Sequence, residues 1–247
     1  MKRILLPALA LLTICSAASA EDVQGIVLPV KQVSISSPVF QDTITAVLVE
    51  EGDTVTEGQE LLKLRSEKEE LEVRRTQKVV ELSEFKARGA QSLFDDKMGS
   101  REKALEEQAQ LEVQRLVHQL AQVALREKTI RSPLSGIVVK KYKETGEGVE
   151  RVEKLFDIVN IDQIYIQFYL DPKLMGSLKE GQKVQVRFPA LGPTPSTASI
   201  TFIDPRIDAA SGLFRLKLQM ENPGHRIKAG TRGAADFSTI QPAPPGR

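Results

Sequence analysis

Two stretches of this chain repeat one another on either side of a long insert, and that arrangement narrows the possible folds more than any other feature. "ISSPVFQDTITAVLVEEGDTVTEGQELLKL" begins at Ile35, and "IRSPLSGIVVKKYKETGEGVERVEKLFDIV" begins at Ile130. Each opens Ile-x-Ser-Pro, and each carries a Gly followed three residues later by a Val. Gly52, Val55, Leu61, Leu62 and Leu64 correspond in spacing to Gly146, Val149, Leu155, Phe156 and Ile158. Pro38 and Pro133 suit the first residue of a strand, where no ladder donor is needed. Gly52 and Gly146 suit a tight turn that requires positive φ, and Gly58 marks a second turn. Each copy therefore predicts a short β-meander with one apolar face. Neither copy can bury that face alone, so the two are expected to pack together as a small sandwich.

The insert between the copies, residues 66–128, is rich in Glu, Lys, Arg, Gln, Leu and Ala and contains no Pro. Strong helix formers dominate it. Ala109, Val113, Leu116, Leu120 and Val123 step by four and three, the spacing of a coiled-coil seam. Leu71, Leu82 and Phe85 fit a seam in the first half, although Arg75 and Lys78 fall on the same register. "FDDKMGS" breaks the pattern: Asp95, Asp96, Gly99 and Ser100 are turn and cap residues, with Ser100 placed to N-cap a second helix that has Glu102 and Lys103 in its first turn. The reading is an antiparallel helical hairpin with arms of about 40 Å at ~1.5 Å per residue. The alternatives are a four-helix domain or one long solvated helix, and the flanking repeats favour the hairpin. His118 lies off the expected seam and reads as a solvated helix residue, and His225 as a turn residue.

From Gln163 the period changes to two. Ile164, Ile166, Phe168 and Leu170 fall on one strand face, as do Val184, Val186 and Phe188. Pro172 marks a short helix start. Further strands are expected at Thr197–Ile203, Leu213–Met220 and Thr231–Phe237, separated by turns at Gly192-Pro193, Asp204-Pro205, Ser211-Gly212 and Asn222-Pro223-Gly224. A small closed or half-closed barrel follows. The segment Gly25–Ser34 is strand-like and can join its edge.

The first twenty residues carry Lys2-Arg3, an apolar run from Ile4 to Ile14, and Ala18-Ser19-Ala20, which together read as a signal peptide cut before Glu21. Two lesser readings are an uncleaved anchor and a lipid on Cys15, the latter weakened because Ile14 is not small. No later apolar run is long enough for a transmembrane helix. The final residues are Pro-rich and read as a tail.

Composition removes several function classes. With 34 Lys and Arg against 33 Asp and Glu, the net charge of +1 gives no bulk electrostatic reason to bind nucleic acid. No Trp and few aromatics leave little for a stacking groove. One Cys and two His cannot build a zinc site or a disulfide framework. Scattered Met residues, such as Met98, Met175 and Met220, do not make a thioether relay. No phosphate-cradling glycine loop, nucleophile elbow or metal-spaced His pair is present. No cofactor and no enzymatic activity are expected.

The order of signal peptide, half-motif, helical hairpin, second half-motif and barrel resembles the periplasmic adaptor subunits, or membrane fusion proteins, of tripartite efflux pumps and the related hemolysin-secretion-type (HlyD-like) adaptors. "VEEGDTVTEGQELLKL" and "TIRSPLSGIV" are similar to that family's lipoyl-like barrel-sandwich hybrid. "GQKVQVRF" and "IDPRIDAASGLFRLKLQMENPGHRIKAGTRG" are similar to its barrel, and the likeness runs from about Gln24 to about Phe237. The fold so expected is mainly β with an α-helical hairpin: a lipoyl-like barrel-sandwich hybrid split by a coiled-coil hairpin and followed by a small β-barrel. Its divisions are 1–20 signal peptide, 21–34 N-terminal strand joining the barrel, 35–65 first half-motif, 66–128 hairpin, 129–160 second half-motif, 161–238 β-barrel and 239–247 tail.

The resemblance implies an adaptor that links an inner-membrane transporter, most nearly of the resistance-nodulation-division (RND) type, to an outer-membrane channel. It also implies self-association into a ring such as a hexamer, and a periplasmic location with peripheral attachment to the inner membrane through the transporter. It places partner contacts at the hairpin tip, on Arg88, Leu93, Phe94 and Ser100. Leu93 and Ser100 keep the family's spacing, whereas Gly89 and Ala90 stand where an Arg and a Leu are expected. A lipoyl or biotinyl carrier is the competing class, because Asp96-Lys97-Met98 resembles an attachment tripeptide. Such a Lys must sit on a tight β-turn between the half-motifs, and Lys97 is more than thirty residues from either.

Overall fold

The computed structural model describes residues 22–192 and 194–237. The expected signal peptide, Cys15, Pro193 of the expected Gly192-Pro193 turn and the expected tail from 239 lie outside them. The described residues form two compact units, one of residues 29–163 and one of residues 22–28 together with those from 164 to 237. Two strands contribute residues to both: β1 (Val23–Ser36) and β8 (Lys154–Leu170).

The unit of residues 29–163 holds β2 (Gln41–Val47), β3 (Thr54–Val55), β4 (Glu60–Leu64), then α1 (Glu67–Asp95) and α2 (Arg101–Arg126), then β5 (Thr129–Arg131), β6 (Gly136–Lys141) and β7 (Gly148–Glu150). The copies do not form separate meanders stacked face to face. They exchange strands: β2 of the first pairs with β7 of the second, β3 with β6, and β4 with β5. An approximate two-fold relates them. Gly52 N–H donates to the Val138 carbonyl at 2.8 Å, and Gly146 N–H to the Ile44 carbonyl at 2.9 Å. Both glycines have φ above +90°, the left-handed turn conformation that side chains resist. Exchange lets each copy complete the other's ladders, and one core results, from Ile44, Val55, Leu61, Leu62 and Leu64 on one side of the repeat to Val138, Val149, Leu155, Phe156 and Ile158 on the other.

The second unit is a barrel. It contains β9 (Lys183–Arg187), β10 (Ser196–Ile207), β11 (Phe214–Glu221) and β12 (Arg232–Ala235). Strand order runs β1-β12-β9-β10-β11-β8, and β1 also pairs with β8, which closes the ring. The period-two reading holds: Ile164, Ile166, Phe168, Leu170, Val184, Val186 and Phe188 are all buried. The Phe168 and Phe237 rings meet edge to face at 5.3 Å.

One expectation here is corrected. Asp204-Pro205 is not a turn; β10 runs through it with a register shift between Ile203 and Ile207, where a proline is tolerated because the ladder is already interrupted. The turn comes later, at 208–212. The short helix expected at Pro172 is a single 3-10 turn, Pro172–Leu174, capped by the Asp171 carboxylate.

Candidate functional site: the helical hairpin and its tip

The hairpin's inner face is not the one that large aliphatic residues suggested. In α1 the residues turned toward α2 are Glu69, Val73, Thr76, Val80, Ser83, Ala87 and Ala90, and in α2 they are Ala104, Glu107, Leu111, Gln114, His118, Ala121 and Leu125, buried or half-buried in both cases. Both series step by three and four. The expected seam of Ala109, Val113, Leu116, Leu120 and Val123 keeps its heptad spacing but faces outward, with Leu116 59% and Leu120 69% exposed. Leu71, Leu82 and Phe85 are likewise exposed on α1. Thr76, Ser83, Ala104 and Ala121 alternate along the inner face with Val73, Val80, Leu111 and Leu125, and the small ones let the two helix backbones approach closely, which a count of apolar bulk does not register.

His118 is therefore a seam residue, which corrects the solvated assignment. Its Nδ1 lies 2.9 Å from Thr76 Oγ1 and its Nε2 lies 2.9 Å from Gln122 Nε2. Thr76 Oγ1 also reaches the Glu72 carbonyl at 2.9 Å, so its single proton is committed to its own helix turn if the ring donates from Nδ1. Arg115 spans the two helices, bonding Glu84 at 2.9 Å and Glu112 at 2.7 Å. Most other hairpin ion pairs lie within one helix and, exposed to water, contribute little to stability.

At the far end α1 stops in a Schellman arrangement. Met98 N–H donates to the Leu93 carbonyl at 2.8 Å and Lys97 N–H to that of Phe94 at 2.9 Å, with Lys97 left-handed at φ 59°. The next helix starts as the residues indicated: the Ser100 hydroxyl accepts from Lys103 N–H at 3.1 Å. Lys103 bonds Glu107 at 2.9 Å and Glu106 at 3.0 Å, which holds the ammonium above its ordinary pKa and the Glu107 carboxyl below its own. Five residues, 96–100, thus turn the chain through two satisfied caps.

Of the four tip residues, Leu93, Phe94 and Ser100 come together at this turn. Leu93 and Phe94 are partly exposed. Arg88 is exposed but sits about two helical turns back along α1. Met98, 73% exposed, belongs to the same surface and was missed, because a methionine in a turn carries no periodic signal. Lys97, the carrier-type lysine, stands on a helix C-terminus and not on a β-turn.

Among the described residues no group of three or more His, Cys, Asp or Glu side chains could hold a metal ion, and no helix is long and apolar enough to cross a membrane.

A barrel-sandwich hybrid interrupted by a long α-hairpin and joined to a β-barrel is the fold of solved adaptor structures. A MacA–MexA chimera containing the Pseudomonas aeruginosa MexA α-hairpin aligns with a TM-score of 0.77 at 19% identity, over 88% of this chain and 80% of the chimera. The membrane fusion protein Spr0693 of Streptococcus pneumoniae aligns at 0.64 and 16% identity, over 87% and 97%. ZneB of Cupriavidus metallidurans aligns at 0.53 and 16%, over 87% and 96%. At such identities the likeness is one of fold. No curated protein sequence matches the chain. Family assignment comes from the sequence models: the CzcB-like barrel-sandwich hybrid domain matches residues 31–160, just over half of the chain, and the CusB-like β-barrel domain matches 164–240. The chain belongs to this family of periplasmic adaptors, the membrane fusion proteins of tripartite efflux pumps. Its role is that of an adaptor and not of an enzyme, and the family implies a transporter and an outer-membrane channel as partners.

Proposed function

We propose that this chain is exported to the periplasm by a signal peptide cut before Glu21, assembles there as a ring such as a hexamer, and joins an RND-type inner-membrane transporter to an outer-membrane channel that docks on the hairpin tip. The observation that carries the tip assignment is the exposed apolar group Leu93, Phe94 and Met98 at the end of a charged helical rod. Two satisfied caps already hold the turn, so these side chains are not needed to close it, and exposed apolar groups of this kind fit a partner surface. The RND assignment is supported by the CusB-like barrel, whose family model is one for RND systems. Ring formation is supported by the outward heptad stripe from Val113 to Val123, which leaves a helix-sized apolar face uncovered in one chain.

The test is Leu93→Asp in the full chain. Transport and cross-linking to the outer-membrane channel are expected to be lost, with melting temperature and periplasmic level unchanged. Full transport would remove the tip from the mechanism. Ser100 is left intact here, because its hydroxyl caps α2 and its replacement would mix docking with helix stability.

A further inference from the structure

The two-fold relating the half-motifs is close in backbone, and at one pair of turns the side chains differ in size, charge and branching together. Ser37 N–H donates to the Glu153 carbonyl at 2.9 Å, and Ser132 N–H to that of Gln59 at 2.9 Å. Val152 N–H donates to the Ser37 carbonyl at 3.0 Å, and Gly58 N–H to that of Ser132 at 2.8 Å. Glu150 N–H bonds the Glu153 side chain as Thr56 N–H bonds that of Gln59. These bonds make Phe40, Arg151 and Val152 the counterparts of Ser135, Glu57 and Gly58. All three pairs differ in the same sense: large against small, positive against negative, and a β-branched residue against glycine.

Val152 is the informative member. Gly58 has φ 82°, and Val152 takes the same left-handed turn at φ 67°. That conformation is a genuine outlier for a β-branched residue, and strain of this kind persists where the side chain does something glycine cannot. Burial is not that something, because Val152 is 73% exposed and Phe40 is 79% exposed. Arg151 and Glu57 are both exposed and form no ion pair within the described residues. At the Gly58 turn, an added Cβ would meet nothing within 4 Å, so that surface is open.

We infer that Phe40, Arg151 and Val152 form a plug, that Glu57, Gly58 and Ser135 form its socket, and that the plug of one copy of this chain seats in the socket of another. Arg151 supplies the charge opposite to that of Glu57, and the apolar pair covers the small-residue turn. Because plug and socket are different surfaces, the contact is head-to-tail, and a head-to-tail contact that closes makes a ring. The inference rests on the ring proposed above and names a surface that builds it.

The test uses the full chain with Cys15→Ser in every form. A mixture of Arg151→Cys chains with Glu57→Cys chains is expected to give a disulfide-linked dimer under mild oxidation, and neither chain alone. In sedimentation over one concentration range, Phe40→Ser with Val152→Gly is expected to weaken self-association at least about tenfold, since a few central, desolvated side chains carry most of an interface's binding energy. Glycine fits the φ of 67°, so this variant folds. Arg151→Glu and Glu57→Arg should each weaken association, and the double exchange should restore it to within about threefold, as expected of a complementary pair. A dimer from Arg151→Cys alone would mean a symmetric contact and overturn the assignment. Wild-type rings that all variants leave intact would overturn it while the ring stands. Intact rings that no longer capture the inner-membrane transporter would assign the plug to that partner instead. A wild-type chain that stays monomeric beside its transporter would overturn both readings.

Discussion

Lys128 and Asp42 are 86 residues apart in the chain, and their side chains meet at 2.6 Å. Lys128 follows α2, Asp42 is in β2, and Glu69 of α1 completes the cluster at 3.1 Å from the ammonium. One cation therefore ties both helices of the hairpin to the sandwich that the hairpin interrupts. The surroundings are mostly closed to water, so removing one partner here costs more than removing one of an exposed pair along the helices.

Lys128→Met should therefore destabilise unit 29–163 by about 2 kcal/mol at neutral pH, because it leaves a buried Asp42 beside Glu69 with only the exposed Arg65 guanidinium, 3.9 Å away, as counter-charge. Burial pulls the Lys128 pKa down, and the bonds from Asp42 and Glu69 outweigh it, so the folded value is raised. A raised folded pKa means the contribution is complete below the unfolded lysine value near ~10.4 and is lost as pH rises through the folded one. Urea unfolding at neutral pH and above about pH 11 should show the variant's deficit in the first condition and its shrinkage in the second. Equal stability at neutral pH would mean the cluster contributes nothing.

Asp157 works at the opposite end of the pH scale. Its carboxylate accepts from the Ser34 hydroxyl and from the Tyr142 hydroxyl at 2.7 Å, joining β1 and the end of β6 to β8. The Ser34 bond, assisted by Tyr142, outweighs burial and holds its pKa below the ordinary carboxylate value. A depressed folded pKa gives stability that is present above the unfolded value near ~3.9 and lost as pH falls through the folded one. Asp157→Asn should unfold more easily than the wild type at neutral pH, with the difference narrowing in acid below about pH 4. A constant difference across that range would contradict the account.

The inner and outer faces of the hairpin should respond in opposite ways. Leu116→Gln and Leu120→Gln sit on the outward stripe and should change the stability of an isolated chain by less than about 0.5 kcal/mol. Ala121→Leu forces bulk between the helices and should cost roughly 1–3 kcal/mol. Thermal melts of the three variants decide it: the reverse order would restore the seam drawn through the large aliphatic residues.

Ser100→Ala should cost about 1 kcal/mol by removing the cap on the Lys103 amide, and Ser100→Asp should recover most of it. Helicity near the tip, read by amide exchange of residues 101–104, is the measurement. Protection unchanged in the alanine variant would show that the hydroxyl does not hold the turn.

Val152→Gly should raise stability by roughly 0.5–1 kcal/mol. Relief of left-handed strain is worth roughly 1–2 kcal/mol, and the greater freedom of glycine in the unfolded chain takes back part of it. Gly58→Val, the reciprocal change, should destabilise by a similar amount. Chemical denaturation of both variants would contradict the pairing of these turns if their effects had the same sign.

What could be read from the residues alone was whatever depended on local spacing. The Ile-x-Ser-Pro repeats with Gly52 and Gly146 announced a split β unit, since turn glycines and strand alternation are written in consecutive residues. The Pro-free insert with Ser100 announced two helices and the cap between them, and Ile164 to Leu170 announced a barrel strand with one buried face. Tertiary structure decided the rest. Whether the half-motifs stack or exchange strands depends on which ladder partners are nearest in space, and β2 found β7 across more than ninety residues. Which helix faces meet depends on how closely two backbones can approach, so Thr76, Ser83 and Ala121 were chosen over Leu116 and Leu120. Val152 looks like one more strand residue in the sequence; only the pairing of its turn with that of Gly58 shows a valine held where the backbone calls for glycine.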